Sequence, residues 1–127
     1  MLRWDCHINR AESKTISESR RELARVLREH GVSEMNVDSA VMILGELLAN
    51  ACEHGCVPVD VSLAARNGTL ELRVVDSGTD IRRPMARDPE SLRGRGFEII
   101  EGLGGRIAMR GRPRSSVRVV LPFTVAG

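Results

Sequence analysis

The chain has 127 residues, 42% hydrophobic and 28% charged, with a formal net charge of +2; that suits one domain with a real core and is too mild a charge for a dedicated nucleic-acid binder. Aromatic residues are only 2%, namely Trp4, Phe97 and Phe123, which argues against base-stacking modules built on exposed rings. Lys14 is the sole lysine and no glycine stands in Arg10-Ala11-Glu12-Ser13 before it, so a P-loop is excluded, and any phosphate chemistry must use arginine, backbone N–H groups and a metal.

Residues 2–8 alternate weakly and read as an opening strand. Residues 17–30 form an amphipathic helix with Leu23, Val26 and Leu27 on one face, stopped by Gly31. Residues 37–54 carry the strongest helical pattern: Val41, Leu44, Leu47, Leu48 and Ala51 share one side, Asp38 sits near the start, and Gly55 follows the end. Residues 59–65 alternate as a strand, Asn67-Gly68 is a hairpin turn, and Leu70, Leu72 and Val74 continue the alternation in a return strand. Residues 76–95 are polar, hold Gly78 and two prolines, and read as a long functional loop. A short helix is expected over 96–103, ending at Gly104-Gly105, and then strands over 106–110 and 116–122. Two hairpins with clustered helices favour an α+β layer fold over a doubly wound parallel sheet.

No apolar run approaches the roughly 18 residues that a membrane span needs. The start, Met-Leu-Arg-Trp-Asp-Cys-His, lacks a signal-peptide core, so the expected location is cytoplasmic, with Cys6, Cys52 and Cys56 as reduced thiols. The spacing Cys52-x-His54-x-Cys56 has the residue types of a zinc site, but Cys52 falls toward the apolar side of its helix and His54 toward the polar side. Small buried cysteines are the better reading.

Three segments carry chemistry. Glu46, Asn50, Glu53 and His54 lie on the helix side opposite the leucine stripe. A solvated face is the usual fate of such residues, but Asn gains little inside a helix. Its amide oxygen is a hard ligand suited to Mg²⁺, and a glutamate one turn away can orient or deprotonate a nucleophile. Next, Val74-Val75-Asp76-Ser77-Gly78 ends an apolar strand in a carboxylate that can accept a hydrogen bond from an exocyclic amine, with a glycine that admits a ligand close to the backbone. Third, Arg93-Gly94-Arg95-Gly96-Phe97 opens a helix with glycine N–H groups and guanidinium charge suited to phosphate. Its spacing is not that of a dinucleotide-binding Rossmann turn.

In this order, Glu46-Leu-Leu-Ala-Asn50-Ala-Cys-Glu-His54-Gly55, Asp76-Ser-Gly78 and Gly94-Arg-Gly96-Phe-Glu-Ile-Ile resemble the N, G1 and G2 boxes of the GHKL (histidine kinase-like) ATPases. The small size and the form of the boxes resemble the anti-sigma-factor serine kinase branch. The resemblance runs from about Ser17 to Phe123 and implies one domain over 1–127. The fold it implies is a two-layer α/β sandwich of the Bergerat type, with a mixed, mainly antiparallel sheet covered by helices on one face.

The resemblance also implies ATP and Mg²⁺ as ligands. Glu46 then polarises the attacking hydroxyl, Asn50 holds Mg²⁺, His54 lies near the phosphates and Asp76 reads the adenine amino group beside Gly78. Gly94, Arg95 and Gly96 form the phosphate-side loop, and Ser116 stands where the family often has Thr near the adenine. The implied activity is that of an anti-sigma factor and protein serine/threonine kinase that phosphorylates an anti-anti-sigma antagonist in a bacterial partner-switching pathway. The branch commonly forms homodimers, and residues 2–8 would offer an edge strand for docking.

Two departures stand out. Residue 80 is Asp where the family pattern has a second glycine, and the segment 79–93 is short for an ATP lid. Both bear on lid closure and turnover more than on binding, and they support the alternative of a nucleotide-controlled protein-binding module without turnover. The basic segment 82–114 also raises a nucleic-acid reading, which the mild net charge disfavours.

Overall fold

The computed structural model describes residues 2–10, 12–53, 58–77, 102, 104–110 and 116–123. Its elements are β1 (Leu2–Ile8), α1 (Ser13–Glu29), α2 (Glu34–Glu53), β2 (Val59–Arg66), β3 (Thr69–Val75), β4 (Arg106–Arg110) and β5 (Ser116–Pro122). The strands form one open sheet in the order β1-β2-β3-β5-β4, and every one of these pairings is antiparallel. This is the α+β two-layer arrangement that the sequence implied. The expected helix over 96–103 lies outside the described residues apart from Gly102.

Alternation decides which face of the sheet is buried, because successive side chains point to opposite sides. Trp4, Val61, Leu63, Leu72, Val74, Val119 and Leu121 lie inward with Leu23 and Leu27 of α1 and Ile43, Leu44, Leu47 and Leu48 of α2. Trp4 and Phe123 pack on the core, buried and half-buried respectively. Trp4 also donates its indole N–H to Glu22 Oε1 at 2.8 Å, tying β1 to α1. The β2–β3 hairpin turns at Asn67 and Gly68, both with positive φ (53° and 76°), the combination a two-residue turn of this hand requires.

Both helices begin earlier than their apolar patterns indicated. α1 starts at Ser13 rather than residue 17, because Ile16 packs on the core and the buried Ser19 continues the stripe. Ser19 tolerates burial by donating to Thr15 O at 2.9 Å. α2 starts at Glu34 rather than residue 37, because Ser33 caps it: the Asn36 N–H reaches Ser33 Oγ at 3.4 Å. Across the short connection, Arg28 donates from Nε and Nη2 to the Glu34 carboxylate at 3.0–3.2 Å. That contact holds the Glu34 carboxyl below its ordinary value, so its small contribution is present above the ordinary carboxylate range and is lost as acid protonates the group.

Asn36 does a second job. It is buried, accepts from Ser33 Oγ at 2.8 Å, and donates from Nδ2 to Pro122 O at 3.2 Å. Asn36→Ala removes the helix-to-sheet bond and strands buried polar groups, so it should cost about 1–3 kcal/mol. The measurement is urea unfolding followed by the fluorescence of Trp4, the only tryptophan in a chain without tyrosine. An unchanged midpoint would contradict this role.

Candidate functional site

The Asn36 bond fixes where α2 begins. Pro122 pairs with Thr69, so α2 starts at the end of the sheet where β3 starts. The next element after α2 is β2, which begins at Val59 beside the other end, where Asp60 pairs with Val75. At about 1.5 Å per residue the 20 residues of α2 span ~30 Å, against ~23 Å for a seven-residue strand. α2 packs on β3 and runs the length of the sheet in the same direction. Its C-terminal half therefore arrives at the end of β3, where Asp76 stands.

Glu46 sits on this half, partly buried, in contrast to the fully buried Leu47 and Leu48 that follow it. The backbone places Asn50 one helical turn further on the same flank. Asp76 follows directly on β3 and is only 6% exposed, an uncommon state for a carboxylate. Both carboxylates are engaged by other groups. Ser116 opens β5 opposite Val75, so it shares this end of the sheet with Asp76. It does not share the phase: Ser116 alternates with the buried Val117, while Asp76 is on the buried side. His54, Gly78, Gly94, Arg95 and Gly96 lie outside the described residues. So Glu46, Asn50, Asp76 and Ser116 are brought to one end of one sheet from three elements.

The donor chemistry fits a nucleotide with Mg²⁺. Carboxylate and amide oxygens are hard ligands, and Mg²⁺ usually takes one or two protein oxygens beside phosphate and water. Among the described residues there is no cluster of three or more His, Cys, Asp or Glu side chains that would form an all-protein cage. The Cys6 thiol meets Ser19 Oγ at 3.4 Å, while Cys52, His54 and Cys56 offer no described side chain.

One contact beside Glu46 escaped the sequence reading. Gly45 lies inside α2, where glycine costs roughly 0.5–1 kcal/mol relative to alanine. Arg20 of α1 lies across it, so that a Cβ added at Gly45 would come 3.3 Å from Arg20 Cδ and Nε. A glycine within a strong helical pattern was the available signal. Arg20 is exposed and its end can swing aside. Gly45→Ala should thus stabilise the domain by up to about 1 kcal/mol; thermal unfolding checks this, and a clear loss would mean that Arg20 is held in place.

Among the described residues, an open five-stranded sheet with two helices on one face, and polar residues converging where the long helix meets a strand end, define the class of protein. The chain belongs to the histidine kinase-like ATPase domain family, whose sequence pattern matches residues 10–121. No curated protein matches the sequence. Among solved structures, one similar chain is in the SiaB–SiaC complex from Pseudomonas aeruginosa, with a TM-score of 0.59 at 10% identity, covering 95% of this chain and 89% of that one. Another is the histidine kinase domain of the blue-light activated histidine kinase from Erythrobacter litoralis EL346, with a TM-score of 0.51 at 20% identity over 68% of this chain. This chain spans 44% of that kinase's length. Identities this low establish the shared fold. Among the described residues no helix is long and apolar enough to cross a membrane.

Proposed function

We propose that this domain binds ATP with Mg²⁺ where α2 meets the end of β3 and transfers the γ-phosphoryl group to a serine or threonine hydroxyl of a protein partner. In the full reading it is a cytoplasmic bacterial anti-sigma factor: it holds a sigma factor and phosphorylates the anti-anti-sigma antagonist that would release it. The observation that carries the proposal is the arrival of Glu46 and Asn50 at the strand end occupied by the buried Asp76. Family membership supports ATP as the ligand. A structural neighbour solved in complex with a second protein supports a protein partner.

The residues divide the work by chemistry. Asp76 accepts a hydrogen bond from the adenine amino group, with Gly78 allowing close approach and Ser116 nearby on the next strand. The Asn50 side-chain oxygen and the phosphates hold Mg²⁺, which neutralises phosphate charge when bound. Arg95, His54 and the N–H groups of Gly94 and Gly96 take the remaining charge. Glu46 accepts the hydroxyl proton as the hydroxyl oxygen bonds to the γ-phosphorus and the bond to the bridging oxygen breaks, releasing ADP. Phosphoryl transfer asks for positioning and charge neutralisation rather than covalent help, so a single lysine is no obstacle.

The test is incubation with γ-labelled ATP, Mg²⁺ and a candidate antagonist. Label on a serine or threonine of the antagonist is expected. Tight ATP binding without transfer would instead establish the second reading, a nucleotide-controlled binding module, which Asp80 and the short segment 79–93 favour.

A further inference from the structure

The helices cover one face of the sheet. The other face carries its own pattern, and no helix among the described residues lies on it. The register sets its residues in lateral rows: Arg3, Ala64, Glu71, Val120 and Arg106 form one, and Asp5, Ser62, Arg73, Arg118 and Ala108 the next. Arg66 lies diagonal to Arg3. In this phase the register places six arginines (Arg3, Arg66, Arg73, Arg106, Arg110, Arg118) against three carboxylates (Asp5, Asp60, Glu71) among the described residues. A shallow hollow of about 430 Å³ runs between Arg3, Arg66 and Arg73 over the short side chains of Ser62, Ala64 and Thr69.

The charges are not balanced locally. Arg73 and Arg118 stand directly opposite each other, and like charges in that position destabilise a sheet. Arg118 is offset by Glu71 at 3.4 Å, and Asp60 is taken by His7. Arg3, Arg66 and Arg73 hold no ion pair among the described residues. An anion seated over the hollow would relieve the Arg73–Arg118 repulsion. The small floor would let a chain approach closely.

We infer that this outer sheet face is a second docking surface, separate from the nucleotide end, for an acidic segment of a partner protein. Charge decides the occupant. A second copy would bring two net positive faces together, and the carboxylates of Asp5, Asp60 and Glu71 oppose a uniform polyanion such as nucleic acid. An acidic protein segment places carboxylates on Arg3, Arg66 and Arg73 while its neutral positions pass the native carboxylates.

The probe is a labelled peptide alternating glutamate with threonine, titrated into the full isotope-labelled chain without nucleotide, so the outcome is independent of the ATP site. Amide shifts are expected at Arg3, Ser62, Ala64, Arg73 and Arg118, and binding should weaken as salt rises. Combined Arg3→Glu and Arg73→Glu should weaken binding by at least about tenfold. The neutral pair Arg3→Thr and Arg73→Thr should do the same in a strand-favouring background, and Trp4 fluorescence reports folding in both. Shifts elsewhere, or unchanged affinity in a folded variant, would overturn the proposal. So would a DNA oligonucleotide that takes the same amides more tightly, or a sedimenting dimer that Arg73→Glu dissociates.

Discussion

Glu46→Gln should lower phosphotransfer by about 10²–10⁴-fold, the range expected when a positioned general base is removed. Binding of Mg²⁺–ATP should hardly change. The substitution keeps the size of a partly buried side chain beside the core residues Leu47 and Leu48, and because Glu46 is engaged by another group, Trp4 fluorescence must show a folded variant first. What it removes is the capacity to accept a proton from the attacking hydroxyl. The measurement is single-turnover transfer of labelled phosphate to the antagonist, with nucleotide affinity determined on the same preparation. Equal losses in transfer and affinity would mean that Glu46 binds nucleotide instead. Unchanged transfer would remove it from the chemistry.

Asp76→Ala should weaken ATP by roughly 10–100-fold, the value of one hydrogen bond to a buried charge together with the donor left unpaired. It should also erase a preference for ATP over GTP. A carboxylate accepts from the adenine amino group and repels the carbonyl that guanine presents at the same position, so the discrimination rests on this one side chain. Because Asp76 is buried and engaged, Trp4 fluorescence must show a folded variant before the affinities are compared. A folded Asp76→Ala chain that still prefers ATP would place the base elsewhere.

Much of the fold was legible because its signals are local. Asn67-Gly68 needs only two positive φ angles, and the strand pattern around it needs only alternation. Gly31, with φ 74°, stopped α1 where expected. The helix starts were read late because the evidence for them was polar. In α1, Ser13, Lys14 and Thr15 precede Ile16, and in α2 the capping Ser33 precedes the first apolar residue. The order of strands was less accessible. β5 pairs between β3 and β4, and nothing local to residues 116–122 shows that.

The candidate site has the same division. Residue type and spacing identified Glu46, Asn50 and Asp76, but their convergence depends on Asn36 meeting Pro122 across 86 positions of sequence. Ser116 illustrates the limit from the other side. Its position at the strand end was anticipated, while its phase is set by Val117 turning inward. The arginines of the outer sheet face were visible in the sequence only as a bias. Pairing of β1, β2, β3 and β5 turns that bias into a surface.

The central claim is that the end of α2 and the end of β3 form one nucleotide site. Titration of Mg²⁺–ATP into the isotope-labelled chain tests it most directly. Amide shifts should gather at residues 46–53, at 74–77 and at 116, and leave Arg3, Ser62 and Arg73 on the outer face unmoved. Shifts confined to the outer face, or no binding at all, would contradict the account.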